Sequence, residues 1–207
     1  MAGDGYFISF EGIDRSGKST QAKMLFEALG SERALLVREP GGTLAGERIR
    51  ELLMDAKLPL SPRAETLLFA AARADLVASV IQPQLNMGRI VIADRFIDST
   101  LVYQGIVRGL GLATVATVND WACAELLPNL TILIEIDPER AASRGAANGD
   151  RFEGEGLGFQ LKVAAAYKQV AAHAPDRVVT IAGDRPPSEI HAEVLTLVRG
   201  RLGDTLA

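Results

Sequence analysis

The chain has 207 residues, of which 48% are hydrophobic and 23% charged, a composition typical of one globular domain with a substantial core. The formal net charge of −4 argues against a broad nucleic-acid-binding surface, because such surfaces are basic. The single cysteine, Cys123, excludes an internal disulfide and a cysteine-based zinc site, and its apolar surroundings predict a packing role.

The N-terminal segment lacks the features of a targeting signal. It carries Asp4 and has no basic region followed by a long apolar run, so a signal peptide is not expected. No apolar stretch is long enough to span a bilayer. We therefore predict a cytoplasmic protein with neither a membrane nor a nucleic acid as partner.

The first predicted strand, Tyr6–Phe10, leads into the segment Gly12–Ser19, which has the P-loop pattern of Gly, four residues, then Gly-Lys-Ser. Its glycines allow backbone N–H groups to surround a phosphate, Lys18 reaches the terminal phosphates, and Ser19 places a hydroxyl on Mg²⁺. The helix predicted over Lys18–Leu29 directs its positive end at the same point. An ordinary glycine turn is the alternative, and the strand-loop-helix context argues against it.

Apolar strands alternate with amphipathic helices along the rest of the chain. The further predicted strands are Ala34–Arg38, Arg89–Ala93, Leu130–Ile136 and Arg177–Ile181, and the further predicted helices are Ala45–Asp55, Arg63–Leu85, Thr114–Leu126, Pro138–Arg144, Phe159–His173 and Pro187–Leu202. Such alternation predicts an α/β fold of the P-loop NTPase type, with an open sheet of about five parallel strands and helices on both faces. We expect one domain over residues 1–207, with ligands beyond the carboxyl ends of the strands.

The third predicted strand ends in Asp94 and Arg95. A buried hydrophobic strand ending in Asp is typical of the partner element of a P-loop. Asp94 would hold Mg²⁺ through water or orient Ser19, and Arg95 would face the same cleft. The alternative is a surface salt bridge at a strand end.

Residues 145–158 are rich in Gly, Ala, Asn and Asp and lie beside Arg144 and around Arg151. This composition predicts a mobile lid over the phosphate site. A solvated loop is the alternative, which the two arginines make less attractive.

Several classes of P-loop protein can be compared with this pattern. The chain has no Asn-Lys-x-Asp segment to read guanine and no Asp-x-x-Gly outside the P-loop, which argues against a small GTPase. A chain of 207 residues is too short for motor or helicase machinery. A small kinase fits best. Two alternatives stay open: a kinase for a nucleoside, another nucleotide or a small hydroxylated acid, and a switch that hydrolyses ATP slowly.

Five motifs together resemble the thymidylate kinase family. They are Phe10–Gln21, Arg38–Thr43, Phe69–Arg73, Asp94–Thr100 and Tyr103–Gly105, and the resemblance runs from about Phe7 to the C-terminal helix. Members of this family transfer the γ-phosphoryl group of ATP to dTMP, giving dTDP for the dTTP supply of DNA synthesis. The resemblance implies ATP as co-substrate, Mg²⁺ as cofactor, and a homodimer.

The resemblance also implies a set of residues for the acceptor dTMP. Phe69 would stack on the thymine ring, and Arg73 would donate to thymine O4, where cytosine has a competing donor. Periodicity alone favours a core phenylalanine beside a surface arginine at these two positions. The remaining residues implied are Thr100 and Gln104 at the base, Tyr103 at the sugar, Arg50 and Arg95 at the phosphate, and Gln160 closing the acceptor side.

For ATP, the implied contacts are Gly12, Ile13, Asp14, Arg15, Ser16, Gly17, Lys18, Ser19, Thr20, Arg144, Arg151 and Gly183. The implied catalytic residues are Asp14, Arg15, Lys18 and Arg95, and the implied metal contacts are Ser19 and, through water, Asp94. Asp14 would lie near the sugar 3′-OH or the water network of the metal, and residues 182–186 would lie under adenine.

The chain combines an arginine inside the P-loop, Arg15, with the arginines of the predicted lid, a mixture of two patterns within the family. Which arginine bears most of the transition-state charge therefore stays open. We favour Arg15, with Arg151 clamping the donor nucleotide. A cis peptide bond is expected at Glu39-Pro40.

Overall fold

In the computed structural model, which describes residues 5–145 and 151–203, five parallel strands form one sheet in the order β2-β3-β1-β4-β5. The strands are β1 (Tyr6–Glu11), β2 (Ala34–Arg38), β3 (Ile90–Asp94), β4 (Leu130–Glu135) and β5 (Val178–Ala182). The predicted parallel sheet is confirmed, and every strand bound lies within one residue of its prediction. Short apolar runs bounded by turn residues account for this agreement.

The helices are α1 (Lys18–Leu29), α2 (Leu44–Met54), α3 (Pro62–Leu76), α4 (Gln82–Asn86), α5 (Ile97–Thr100), α6 (Leu112–Cys123), α7 (Pro138–Ala142), α8 (Leu157–His173) and α9 (Pro187–Leu202). A π-helical turn over Val77–Ile81 joins α3 to α4, so the helix predicted over Arg63–Leu85 is one helical run with a π interruption. A second π-helical segment, Leu101–Val107, continues α5, and a short 3₁₀ turn covers Glu153–Glu155.

Side-chain caps fix where several helices begin. Thr43 accepts a hydrogen bond from the Gly46 N–H at the start of α2, and Asp137 accepts from the N–H groups of Glu139 and Arg140 at the start of α7. Helix α6 ends three residues before its prediction, because Ala124 and Glu125 adopt positive φ and so leave the right-handed helix.

The two faces of the sheet bury alternate residues of β1. Ile8 and Phe10 belong to the core that contains Leu25 of α1 and Val194 of α9. Phe7 belongs to the opposite core, under α3 and its π-helical extension. Because helices cover both faces of the sheet, a binding site forms from the loops at the carboxyl ends of the strands.

The register brings the loops after β1, β2 and β3 to one edge. Phe10 pairs with Asp94 across β1 and β3, and Arg38 pairs with the same Asp94 across β2 and β3. The loop after β1 therefore lies directly beside Asp94 and Arg95. The connection after β1 leads to β2 on one side of β1, and the connection after β3 leads to β4 on the other side. Sheets of this kind bind ligands at such a switch point.

Within residues 5–145 and 151–203, no helix is both long enough and apolar enough to cross a membrane. The single domain over residues 1–207 and the lid at about 145–158 remain predictions. Residues 146–150 of that lid lie outside the described residues.

Candidate active site

The loop between β1 and α1 curls around an open space at the start of α1. Gly12 and Gly17 have φ angles of +144° and +100°, and a Cβ atom on Gly12 would lie 2.6 Å from the Ile134 carbonyl oxygen. The hydroxyl oxygen of Ser16 is buried and has no hydrogen-bond partner among the described residues. The positive φ angles of Gly12 and Gly17 are typical of a phosphate-binding loop.

A cavity of about 460 Å³, here called the P-loop cavity, opens on the α9 side of this loop. It is lined by residues 15–21, Arg144, Gly183, Arg185, Pro187 and Ile190. Arg144 donates to the carbonyl oxygens of Ser16 and Gly183, at 3.1 Å and 2.6 Å. Arg144 thus ties the loop after β1 to the loop after β5.

A second cavity, of about 470 Å³, lies on the other side of the P-loop and is here called the aromatic cavity. Its walls include four aromatic rings, those of Phe69, Phe96, Tyr103 and Phe152. Arg15, Lys18 and Ser19 line both cavities. The two cavities therefore meet at the cationic end of the P-loop.

Lys18 and Asp14 line the aromatic cavity where it meets the P-loop cavity. Burial, and after it the neighbouring Arg95, lower the pKa of the buried Lys18 ammonium group. Burial opposes ionisation of Asp14 as well, but Arg95, Lys18 and a hydrogen bond of 3.0 Å from Gln160 outweigh it and leave the pKa of Asp14 lowered. Asp14 is therefore a carboxylate held in place by groups from three elements.

Arg95 makes several hydrogen bonds at the junction of the two cavities. It pairs with Asp14 and donates to the Gly12 carbonyl oxygen at 3.0 Å, to the Ser99 hydroxyl at 3.1 Å and to the Tyr167 hydroxyl at 3.0 Å. Its backbone lies in the left-handed region, with φ of +72°. These hydrogen bonds hold Arg95 in a backbone conformation that is unfavourable for a residue other than glycine.

The buried carboxylate of Glu11 supports the turn that carries Arg95. It accepts from the Phe96 N–H at 2.8 Å, the Ser99 hydroxyl at 2.6 Å and the Tyr167 hydroxyl at 2.8 Å. Burial, and after it the nearby Asp98, raise the pKa of Glu11 to about 7. Glu11 could not be singled out from the sequence, because one glutamate at the end of a hydrophobic strand carries no pattern of its own.

The far end of the aromatic cavity combines rings with buried polar groups. Phe69 and Phe152 lie with their ring centroids 6.0 Å apart. The hydroxyl oxygens of Thr100 and Tyr103 are buried in its wall without a hydrogen-bond partner among the described residues. Gln104 also lines this wall, and its Nε2 donates to Glu65.

Arg73 is a buried wall residue, only 1% exposed, and not the surface arginine that periodicity alone favoured. It donates to Glu39 at 2.8 Å and to the Asn119 side-chain oxygen at 2.7 Å, and it lies over the Phe96 ring. Burial raises the pKa of Glu39, although Arg73 opposes this shift. The predicted cis bond at Glu39-Pro40 is present.

Arg50 reaches the same cavity from α2, and its Nη1 donates to the Pro40 carbonyl oxygen at 2.9 Å. Glu47 joins two parts of the loop after β2: it accepts from the Gly42 N–H at 2.8 Å and pairs with Arg38 at 3.0 Å. The loop and the first helix after it are therefore one braced unit.

Most of the predicted site residues come together around the two cavities, with Arg151 as the main exception. Arg151 was predicted to clamp the donor nucleotide, but it pairs with Glu65 and lies over the Phe152 ring, beside the aromatic cavity. Gly183 and Arg144 line the P-loop cavity, and Gln160 donates to Asp14. Arg185, which belongs to the segment 182–186 predicted to lie under adenine, also lines the P-loop cavity.

The residues predicted to contact a metal suit a magnesium ion. Ser19 lies at the junction of the cavities, and one carboxylate oxygen of Asp94 is buried without a hydrogen-bond partner among the described residues. Hydroxyl and carboxylate oxygens are hard ligands of the kind Mg²⁺ selects, and it commonly keeps several waters and phosphate oxygens as well.

A P-loop on the central strand of a parallel sheet, opening onto a second and aromatic cavity, places this chain in the class of small P-loop kinases. Comparisons with known proteins narrow the class. The family model for thymidylate kinase matches residues 10–194.

Relatives named thymidylate kinase match nearly the whole chain. One from Caldanaerobacter subterraneus subsp. tengcongensis is 46% identical over 94% of this chain and 95% of the relative. One from Thermoanaerobacter sp. strain X514 is 44% identical over 94% and 98%. The crystal structure of thymidylate kinase from Ehrlichia chaffeensis matches with a TM-score of 0.77 and 34% identity, over 94% of this chain and 98% of that one. The chain belongs to the thymidylate kinase family.

Proposed function

We propose that this protein transfers the γ-phosphoryl group of ATP to dTMP, giving ADP and dTDP. Membership of the thymidylate kinase family is one support. The observation that carries the proposal further is that two cavities of similar volume meet at Arg15, Lys18 and Ser19. Two nucleotides bound from opposite sides would meet at these residues with their phosphates facing each other.

In this proposal ATP occupies the P-loop cavity and dTMP the aromatic cavity. The P-loop N–H groups and Lys18 bind the β- and γ-phosphates. Phe69 stacks on thymine, Arg73 donates to its O4, and Tyr103 lies against the sugar. Arg50 and Arg95 hold the acceptor phosphate, since guanidinium groups match phosphate oxygens.

The reaction is a direct in-line displacement. An oxygen of the dTMP phosphate forms a bond to the γ-phosphorus of ATP while the bond from that phosphorus to the β,γ-bridging oxygen breaks. The nucleophile is already an anion near neutral pH, because a phosphate monoester loses its second proton near pH 6. No general base is therefore needed, and the protein acts by positioning and by charge neutralisation.

Each cation at the junction has a distinct part in this mechanism. Lys18 follows the γ-phosphoryl group, Arg95 holds the acceptor, and Arg15 compensates the charge that develops between them. Asp14 is held by Arg95 and Gln160 and would lie near the acceptor sugar or the water network of a bound metal. A Mg²⁺ ion bound with ATP through Ser19 and, by water, Asp94 would supply further neutralisation of phosphate charge.

A substrate panel tests the proposal directly. ADP formation from ATP is measured with dTMP, dUMP, dCMP, dAMP and dGMP as acceptors. We expect dTMP to react fastest and dUMP to remain a poorer substrate, since one methyl group in an apolar pocket contributes about 1–3 kcal/mol.

The same panel separates the alternatives. Transfer to a nucleoside or a small hydroxylated acid, without transfer to dTMP, would indicate another P-loop kinase. ADP formation at an equal rate with and without every acceptor would indicate a nucleotide-hydrolysing switch.

We also propose a homodimer. Helices α3 and α6 pack beside each other and carry Leu67 and Trp121, whose side chains are 61% and 86% exposed. Exposed apolar side chains on adjacent helices are typical of a surface covered by a partner. The cytoplasmic location remains a prediction from the sequence.

A further inference from the structure

The carboxylate of Glu65 lies directly behind the wall of the aromatic cavity. Glu65 belongs to α3, one helical turn before Phe69, and its residue is 0% exposed. Phe69 lines the cavity, whereas Glu65 contacts the cavity only through its neighbours. A buried carboxylate in this position requires partners, and they show what it does.

One partner of Glu65 is the side chain of Gln104. Gln104 Nε2 donates to Glu65 Oε1 at 2.6 Å, and Gln104 itself lines the aromatic cavity. An ionised carboxylate only accepts hydrogen bonds, so it can face the nitrogen end of an amide and not the oxygen end. The bond to Glu65 therefore determines which way the planar amide of Gln104 is turned.

Two arginines balance the charge of Glu65. Arg108 Nε lies 3.6 Å from Glu65 Oε1, and Arg151 pairs with Glu65 Oε2. A buried carboxylate without such partners would carry a large desolvation penalty. With them, the acceptor-only character of Glu65 is maintained beneath the cavity wall.

We propose that Glu65 is a positioning residue for base selection, because it fixes the carbonyl oxygen of Gln104 as the group offered to the acceptor base. This inference rests on the proposed function. Thymine and uracil have an N3–H donor that suits a carbonyl oxygen, whereas cytosine N3 is an acceptor. Cytosine would place two acceptors against each other and leave both buried without a donor.

Glu65→Gln is the primary test. A glutamine at this position can donate or accept, so the Gln104 amide is no longer held in one orientation. We expect the preference for dTMP over dCMP, measured as the inhibition constant of dCMP divided by the KM for dTMP, to fall about tenfold or more. The KM for ATP should not change.

Glu155→Gln is the matched control. It removes a carboxylate that pairs with the same Arg108, whereas the Gln104 amide donates to Glu65. We expect this variant to keep the wild-type preference for dTMP over dCMP. A parallel loss of dTMP and dCMP binding in Glu65→Gln, with their ratio unchanged, would mean that Glu65 is only structural and would overturn the inference.

The exchanged pair Glu65→Gln/Gln104→Glu covers the case in which Glu65→Gln does not fold. It conserves the net charge and the atoms of the pair, and it again offers only an acceptor at position 104. We expect this double variant to prefer dTMP over dCMP, and equal binding of the two would contradict the inference. Wild-type protein inactive on dTMP would overturn the proposed function itself, whereas active wild type with an unchanged ratio in Glu65→Gln would overturn only this inference.

Discussion

At the scale of single residues, cationic side chains line the junction of the two cavities. Arg15 lines both cavities and donates to the Gly145 carbonyl oxygen at 2.7 Å. Arg95 is instead held by Asp14, Ser99 and Tyr167. In the proposed function, Arg15 follows the moving charge and Arg95 holds the bound acceptor phosphate.

Replacement of Arg15 tests that division. Arg15→Ala should lower kcat about 10³–10⁵-fold, the effect typical of losing an arginine that stabilises transition-state charge. The Kd for dTMP, measured by calorimetry, should change little. Arg48→Ala, which removes an exposed arginine paired with Glu51 on α2, is the control. Unchanged turnover in Arg15→Ala would assign the charge to another arginine.

Glu11 gives a prediction about pH. Its pKa in the folded protein is about 7, above the ordinary 4.5, so the folded state holds this proton more tightly than the unfolded state does. The stability that this proton contributes is complete below about pH 4.5 and is lost as pH rises through about 7.

Wild type should therefore lose up to about 3 kcal/mol of unfolding free energy relative to Glu11→Gln between about pH 4.5 and 7. Urea unfolding of both proteins across this range measures the difference. Glu51→Gln, at an exposed site on α2, should run parallel to wild type. A constant difference between wild type and Glu11→Gln would contradict the assignment.

Sequence reasoning located the residues that belong to contiguous motifs and missed those defined by distant partners. Gly12–Ser19 follows β1, and Asp94 and Arg95 lie at the end of β3; both strand ends could be predicted from the sequence. Glu11, and the Glu65–Gln104 pair across 39 positions, depend on packing between elements that no local pattern describes. The burial of Arg73 was hidden for the same reason, since Glu39 and Asn119 reach it from far along the chain.

The loop after β5 is a close neighbour of the P-loop at the scale of structural elements. The Gly183 N–H donates to the Glu135 carbonyl oxygen at 2.7 Å. A Cβ atom on Gly183 would lie 2.7 Å from Ile134 Cγ2 and 3.2 Å from the Ser16 carbonyl oxygen. This loop can approach the P-loop so closely only because it has no side chain here.

Gly183→Ala should therefore raise the KM for ATP more than the KM for dTMP, and it should lower the unfolding free energy by about 1–3 kcal/mol. Steady-state kinetics and urea unfolding give the two values. Gly200→Ala is the matched control, because a Cβ atom on that glycine of α9 meets nothing within 4 Å. In a helix interior, it should stabilise the protein by about 0.5–1 kcal/mol. Equal effects on the two KM values would contradict a specific role for Gly183 at the ATP side.

Element bounds were predictable where hydrophobic period and turn residues agreed, as in all five strands and in α1 and α9. The segment 97–107 is helical, with a π-helical part, but the hydrophobic pattern did not indicate it. Its polar residues Asp98, Thr100 and Gln104 are buried, so the usual separation of apolar and polar faces is missing. The end of α6 depended on two left-handed residues that the sequence does not mark.

At the scale of the whole molecule, the acidic chain brings five arginines and Lys18 to the aromatic cavity at one edge of the sheet. Parallel strands make this possible, since all their carboxyl ends face the same edge. The apolar surface carried by α3 and α6 lies outside both cavities. The proposed dimer would cover it without closing either cavity.

Trp121→Glu tests the dimer. Sedimentation equilibrium should show wild type as a dimer and the variant with a dissociation constant at least about tenfold higher, because a charge replaces a large apolar side chain at the contact. Trp121 is exposed in the single chain, so the fold should tolerate the change. Glu125→Gln, on the turn after α6, is the control for a surface change nearby. A wild-type protein that stays monomeric would contradict the proposal.

The left-handed backbone at Arg15 lowers the stability of the fold. A non-glycine residue at φ of +61° destabilises the folded state by about 1–2 kcal/mol, and glycine at this position would remove that strain. A library of variants sorted only for heat resistance should therefore enrich Arg15→Gly and lose the enzyme's turnover. Retention of arginine at position 15 would indicate selection for turnover at the expense of stability.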